Sequence, residues 1–308
     1  MTRLTRRAFL KTSAAAGVLG AASRLFADER PMPLRDLGRT GEKVSLAGIG
    51  TAEWGAGLAD ADADRMIGRA IDLGINYVDT AYSYGDGHSE KHLGRALKGR
   101  RDKVFLATKT IPRSRRSALQ ELEKSLERLA TDHVDLWQFH ALATTRDTDR
   151  ILRDGDGALA AGLEAREKGL VRFLGITGHA DPNVFVDALL RHDFDTLLVP
   201  LNCIDPHHLS FEEIALPKAT AKRTGVIAMK VFCSGQLVGK RIVTAEECLR
   251  YTYGLGISTC IVGCTSVAQV ELAAHVARNL EKMGDEERAA LRAKTKPHSP
   301  GLEWYKSR

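Results

Sequence analysis

The feature that most constrains this chain is an alternation kept up from Val44 to Leu280. Short apolar runs at Val44–Gly50, Tyr77–Asp79, Val104–Lys109, Val134–His140, Val171–Thr177, Thr196–Val199, Val226–Val231 and Thr259–Val262 read as strands. Helical patterns separate them, such as Met66, Ile67, Ala70 and Ile71 after Asp62, or Leu119, Leu122, Leu126 and Leu129. Asp62 reads as a helix cap and Gly74 as a stop. Phe211–Arg223 reads as one helix, Val267–Leu280 as the eighth of the series, and Asp285–Ala293 as a further one. Strict alternation demands right-handed parallel crossovers. Eight units in about 250 residues are what a closed (β/α)8 barrel needs. The expected class is therefore α/β, a TIM barrel over residues 28–308. Its first element is a short β-hairpin at Pro31–Gly41 around the turn Leu37-Gly38-Arg39-Thr40-Gly41. No linker divides the run.

The net charge of +6 suggests a basic protein until it is located. Residues 1–27 carry Arg3, Arg6, Arg7, Lys11 and Arg24 and no acid, so the body is left near neutral. That argues against a nucleic-acid-binding protein. Cys203, Cys233, Cys248, Cys260 and Cys264 are odd in number and contain no Cys-x-x-Cys, which suggests neither a disulfide framework nor a zinc ribbon. Cys260 and Cys264 read as small core residues. His207-His208 has no carboxylate or third histidine at ligand spacing, so no metal site is expected.

The first residues read as an address. Thr5-Arg6-Arg7-Ala8-Phe9-Leu10-Lys11 precedes a weakly apolar, alanine-rich run to Ala22 that is too short for a stable membrane span. This resembles a twin-arginine export signal, with cleavage near Ala22 or Ala27. The resemblance implies passage of a folded protein to the periplasm through the twin-arginine machinery, with unpaired cysteines already buried. No cysteine lies near the leader to suggest a lipid anchor.

Chemistry collects at the C-terminal ends of barrel strands. Asp79, Lys109 and His140 lie at or near the ends of the second, third and fourth strands, and Tyr84 lies in the loop after the second. Neighbouring strands bring these four to one rim. The stretch Gly74-Ile75-Asn76-Tyr77-Val78-Asp79-Thr80-Ala81-Tyr82-Ser83-Tyr84-Gly85, followed by Ser89-Glu90-x-x-Leu93-Gly94, resembles the aldo-keto reductases. The hairpin wording does too, and the resemblance extends over Leu34–Leu280. It implies an NAD(P)H-dependent oxidoreductase that interconverts a carbonyl (aldehyde, ketone or sugar) and an alcohol. Asp79, Tyr84, Lys109 and His140 would be its catalytic tetrad. A free phenol, with pKa about 10, holds its proton tightly at neutral pH. An ammonium at Lys109 is expected to lower that pKa, and Asp79 to keep Lys109 charged. His140 is expected to orient the substrate oxygen. Tyr82 lacks the following glycine and reads as a packing residue.

Phosphate binding in barrels often uses the loops after strands seven and eight. Phe232-Cys233-Ser234-Gly235-Gln236-Leu237-Val238-Gly239-Lys240 resembles the family's Gly-x-Leu-x-Gly-Lys loop, and Gly263-Cys264-Thr265-Ser266 opens a helix carrying Gln269. The resemblance implies that the cofactor, NADP with NAD left open, touches Gly50, Thr51, Asp79, Thr177, Asn202, Phe232, Ser234, Gly235, Leu237, Gly263, Thr265 and Gln269. Gly48-x-Gly50 alone makes no dinucleotide fingerprint. The chain departs from the family at Thr177-Gly178-His179, where Ser-Asn is common, and at Met229-Lys230, where an aromatic is common. The frequent 2′-phosphate arginine falls near Thr265. Trp54, with Tyr84 and His140, is expected to line the pocket of a small-molecule substrate, and Trp304-Tyr305 to fold over the rim or dock elsewhere. The altered nicotinamide contacts leave a low-turnover nucleotide sensor as one alternative, and the same rim leaves a second, a barrel enzyme using tightly bound NAD(P) for another reaction.

Overall fold

The computed structural model describes residues 30–307, of which 31–307 belong to a compact unit that begins at Pro31. The expected export signal and the boundary at residue 28 lie outside the described residues. β1 (Leu34–Asp36) and β2 (Lys43–Ser45) pair antiparallel as the hairpin. β3 (Ala47–Gly50), β4 (Tyr77–Asp79), β5 (Phe105–Thr110), β6 (Val134–Phe139), β7 (Val171–Thr177), β8 (Thr196–Pro200), β9 (Gly225–Met229) and β10 (Thr259–Gly263) form a closed barrel. All neighbours are parallel, and β10 closes on β3 with Gly263 opposite Gly50.

Several element boundaries differ from expectation. Val44–Gly50 is two strands, because the Ser45 N–H is taken by Asn76 Oδ1 at 2.7 Å and the Ser45 hydroxyl by Ala47 O at 2.6 Å. The chain turns there from hairpin to barrel. The first described helix starts at Asp60, so Asp62 sits inside its first turn, where a carboxylate still favours the helix dipole. Phe211–Arg223 is helical only over Ala215–Ala221. The buried Asp205 carboxylate accepts the N–H groups of Phe211 and Glu212 at 3.2 and 2.8 Å and holds that stretch as a turn. A helix at Thr145–Ile151 was not expected; it is too short and polar to show a periodic apolar face.

Period-two alternation sorts the strand residues into two cores. Val78, Leu106, Trp137 and Phe139 point outward and pack under the helices. Tyr77, Phe105, Ala107, Leu136, Leu198, Ile227 and Ile261 fill the barrel with Leu37 and Val44 of the hairpin. Tyr77 stacks on Phe105 and Phe105 on Phe173, with centroids 5.5 and 6.1 Å apart. Continuing the same alternation up the strands turns the inner face polar: Asp79 follows Tyr77, Lys109 follows Ala107, and Gln138 follows Leu136. The barrel is thus apolar at the end closed by the hairpin and ionisable at the other.

Gly38 shows how closely the hairpin seats. Its φ is +59°, and a Cβ there would lie 2.2 Å from Gly225 N. Gly38→Ala is expected to cost more than about 1 kcal/mol, from both backbone strain and the clash. A barrel of this size should then show a thermal midpoint at least a few degrees lower. An unchanged midpoint in a melting scan would mean that the hairpin is not seated against β9.

Candidate active site

The site is built on the polar end of the inner face. Asp79 closes β4, and its carboxylate pairs with the Lys109 ammonium from β5, each side chain only 1% exposed. Lys109 Nζ also donates to Thr80 O at 2.6 Å. Gln138, opposite Lys109 in the β5–β6 register, donates Nε2 to Asp79 Oδ2 at 3.0 Å. Lys109 Nζ lies 4.7 Å from the Tyr84 ring centroid, and the Tyr84 and His140 rings meet edge-on with centroids 5.8 Å apart. The four residues expected to converge are therefore brought together.

The local sequence explains the placement of Tyr84. Gly85 follows it with φ +56°, and a Cβ there would lie 2.7 Å from Gly55 Cα and 2.8 Å from Trp54 O. Only glycine lets the Tyr84 turn come this close to the loop after β3. Ser89 and Glu90 lock the other side. The Ser89 hydroxyl bonds those of Thr51 and Thr80 at 2.6 and 2.8 Å, and buried Glu90 accepts from Thr108 Oγ1 at 2.8 Å and Arg128 at 3.2 Å. Arg128 lies 4.4 Å from the Tyr82 ring centroid, so Tyr82 packs against a guanidinium while Tyr84 faces the ammonium.

Electrostatics divide the roles. Burial pushes the Asp79 carboxyl up, opposed by the charge and hydrogen bond of Lys109. Burial alone would lower Lys109, yet the Asp79 charge, with the hydrogen bonds of Asp79 and Tyr84, outweighs it and the ammonium persists. The Tyr84 phenol departs from expectation: burial raises its pKa by more than Lys109 lowers it, and Asp79 adds to the rise. The ammonium's charge is shared with Asp79, so a proton on Tyr84 is retained rather than loosened. His140 is held well below its ordinary value, first by burial and then by Lys109, His179, Arg113 and Lys230. It is a neutral imidazole at pH 7, and its buried Nδ1 has no protein partner. A neutral ring beside a protonated phenol suits an incoming oxygen acceptor.

The other predicted site residues divide. Ser234, Gly263, Thr265 and Gln269 are exposed on the rim, and Phe232 and Gly235 are half-buried. Lys230, Cys233, Ser234 and Gly235 all have positive φ, which turns the loop sharply into the short helix Gln236–Gly239. Gln269 Oε1 accepts the Thr265 N–H at 2.7 Å, and the helix Val267–Arg278 begins at Ser266 without a side-chain cap. Uncapped helix N–H groups and a polar, glycine-bearing rim fit the phosphates of a nucleotide. Leu237 is buried in the core and anchors the loop. Gly50, Thr51 and Thr177 are buried at strand ends, with the Thr51 hydroxyl donating to Asp79 O at 3.0 Å.

Two expectations are corrected. Trp54 does not line an open pocket: it is 0% exposed and donates Nε1 to Cys264 O at 2.8 Å, tying the β3 loop to the β10 loop. Asn202 does not present a free amide. Its Nδ2 donates to Lys230 O at 3.1 Å and Tyr305 Oη at 3.2 Å, and its Oδ1 accepts from Ile204 and Asp205. The segment Glu303–Lys306 docks on the rim. Lys306 Nζ pairs with Asp205 at 2.8 Å and Glu303 at 2.6 Å, the Tyr305 carbonyl bonds His179 Nδ1 at 3.0 Å, and Trp304 lies over Lys230. Sequence reading missed Gln138 and Lys306; of the two positions expected for Trp304-Tyr305, the chain takes the one over the rim. Gln138 was findable, since it stands two residues before His140 on the same strand face. His207 bonds Thr295 at 3.1 Å and His208 is exposed. All five cysteines are buried thiols, with Cys233 and Cys264 pushed up to about 12, chiefly by burial.

Among known proteins, the sequence profile of the Aldo/keto reductase family matches residues 47–249. The aldo-keto reductase YhdN of Bacillus subtilis is 30% identical over 233 residues, 68% of this chain and 65% of that protein. The chain thus spans just under two thirds of that relative's length. L-galactose dehydrogenase of Arabidopsis thaliana is 30% identical over 295 residues, 82% of this chain and 90% of that protein. The holo form of an aldo-keto reductase from Bacillus halodurans superposes with a TM-score of 0.72 at 25% identity, covering 85% of this chain and 96% of its own.

Removing one partner of the buried pair leaves the other without a counter-charge. Asp79→Ala is expected to destabilise the fold by roughly 3–5 kcal/mol, seen as a lower urea midpoint. A midpoint equal to the parent's would show that Lys109 does not depend on this carboxylate.

Proposed function

The chain belongs to the aldo/keto reductase family, and from that premise we propose that it interconverts a carbonyl and an alcohol with NADPH. Tyr84 is the proton donor and acceptor, Lys109 and Asp79 its electrostatic partners, and His140 the group that orients the substrate oxygen. The observation that carries this reading is the meeting of the Tyr84 ring with the Lys109 ammonium at 4.7 Å and the His140 ring at 5.8 Å. The substrate proposed is small and aldose-like, in keeping with the sugar dehydrogenase among the relatives.

The nicotinamide cofactor, when bound, supplies or accepts the hydride. The phosphates would be held by the Ser234–Gly235 turn and the helix start at Ser266, beside Gly263, Thr265 and Gln269. Thr177 and His179 stand where the family holds the nicotinamide amide. In the reducing direction Tyr84 gives its proton to the oxygen that gains negative charge. Lys109 stabilises the phenolate left behind, and Asp79 keeps Lys109 charged. Neutral His140 donates a hydrogen bond to the same oxygen without competing for the proton.

The raised Tyr84 pKa sets the pH dependence. Reduction needs the protonated phenol, so it should hold through neutral pH and fall only where Tyr84 ionises. Oxidation needs the phenolate, so it should climb toward alkaline pH. Tyr84→Phe should lower kcat by about 10²–10⁴-fold and abolish both limbs. Assays of aldoses and simple aldehydes with NADPH and NADH check this, and undiminished turnover in the variant would overturn the proposed role.

We also propose that the leader around Arg6-Arg7 directs twin-arginine export of the folded enzyme. Changing both arginines to lysine should leave the protein in the cytoplasm of an expressing bacterium. Equal periplasmic recovery of both forms in cell fractionation would refute it.

A further inference from the structure

Arg113 lies four residues beyond Lys109, outside the motifs that mark the site. Its side chain is 13% exposed and pairs with Asp147 at 3.2 Å. The same guanidinium donates to three carbonyls: Ile111 O at 2.7 Å, His140 O at 2.8 Å and Ala141 O at 3.2 Å. The last two form the turn by which the chain leaves β6. Ala141 sits there at φ +57°, a left-handed conformation that an L-residue adopts only when its surroundings impose it.

The imidazole of His140 is not oriented through its Nδ1, which is buried without a protein partner. The residue is held instead by its backbone, whose N–H donates to Thr110 O at 2.8 Å and whose carbonyl accepts from Arg113. Arg113 is a firm anchor. Its own carbonyl accepts the Ala158 N–H at 2.9 Å, and the next residue, Ser114, makes an isolated bridge to Gly157. The second Asp147 oxygen accepts the N–H groups of Ala143 and Thr144 at 3.1 and 3.0 Å, so one carboxylate fastens the rest of the loop to the same guanidinium.

We infer that Arg113 is a positioning residue: its fork of donors fixes the His140–Ala141 turn and thereby sets where the imidazole meets the substrate oxygen. This rests on the reading of His140 as a substrate-facing group. A planar guanidinium can bridge the three carbonyls and a carboxylate at once. A lysine ammonium offers three donors from a single atom and cannot span them. Arg113 also stands among the cations that, after burial itself, keep His140 neutral.

The test uses the full chain with Arg113→Lys, Arg113→Met, Asp147→Asn and, as a control, His140→Gln. Turnover of an accepted carbonyl, NADPH affinity and the His140 ring signals in histidine-labelled NMR spectra are compared. Both Arg113 variants should lower kcat by about 10-fold to 10²-fold, the scale of a small misplacement of a reacting group. They should also move the His140 signals and leave NADPH affinity unchanged, with lysine giving no rescue. Asp147→Asn, which removes the counter-charge of Arg113 but leaves its bonds to the carbonyls, should act in the same direction more mildly and serves if the methionine variant does not fold. Parental kcat with unmoved His140 signals in either Arg113 variant overturns the inference, and so does full recovery with lysine, which would make charge alone sufficient. If His140→Gln keeps full turnover, the reading of His140 itself falls and takes the inference with it. Loss in His140→Gln without loss in the Arg113 variants sinks the inference alone.

Discussion

The buried pair of Lys109 and Asp79 is the interaction on which the rest of the site depends. Two opposite charges, each about as buried as a core leucine, sit at the end of an otherwise apolar barrel interior. A pair of this kind adds little net stability, because desolvation offsets the attraction. Its value lies in what it keeps charged. Asp79 is fixed by Gln138, Lys109 by Thr80 O, and Tyr84 then meets a cation that has no freedom to turn away.

The barrel makes this arrangement tolerable. Inner-face residues run from Tyr77, Phe105 and Leu136 at the hairpin end to Asp79, Lys109 and Gln138 two or four residues later. One strand periodicity thus produces both the apolar plug and the polar floor of the site. Leu37 and Val44 close the far end against solvent. Loops do the rest. Gly85 lets Tyr84 approach, Ser89 and Glu90 brace the following helix, and the buried Trp54 ties the first loop to the last.

The far side of the rim is organised by a segment remote in sequence. Tyr305 and Lys306 reach Asn202, His179 and Asp205, groups at the ends of β7 and β8. The buried Lys306 carries two carboxylates, Asp205 and Glu303, and Asp205 in turn shapes the start of the next helix. An amide at Asn202 that the family resemblance made a candidate ligand is thereby committed within the protein.

The sequence by itself determined the eightfold alternation, the hairpin, and the placing of Asp79, Lys109 and His140 at or beside successive strand ends with Tyr84 in the loop between the first two. These follow from local periodicities and from residues a few positions apart, such as Asp79, Tyr84 and Gly85. Tertiary structure alone decided the balance of the Tyr84 pKa, because burial and charge there depend on side chains from several strands. It alone decided that Trp54 is buried, that Asn202 is occupied, and that Arg113 clasps the His140 turn across a loop. Periodicity is carried by neighbours along the chain, whereas desolvation and hydrogen-bond commitment are set by neighbours in space.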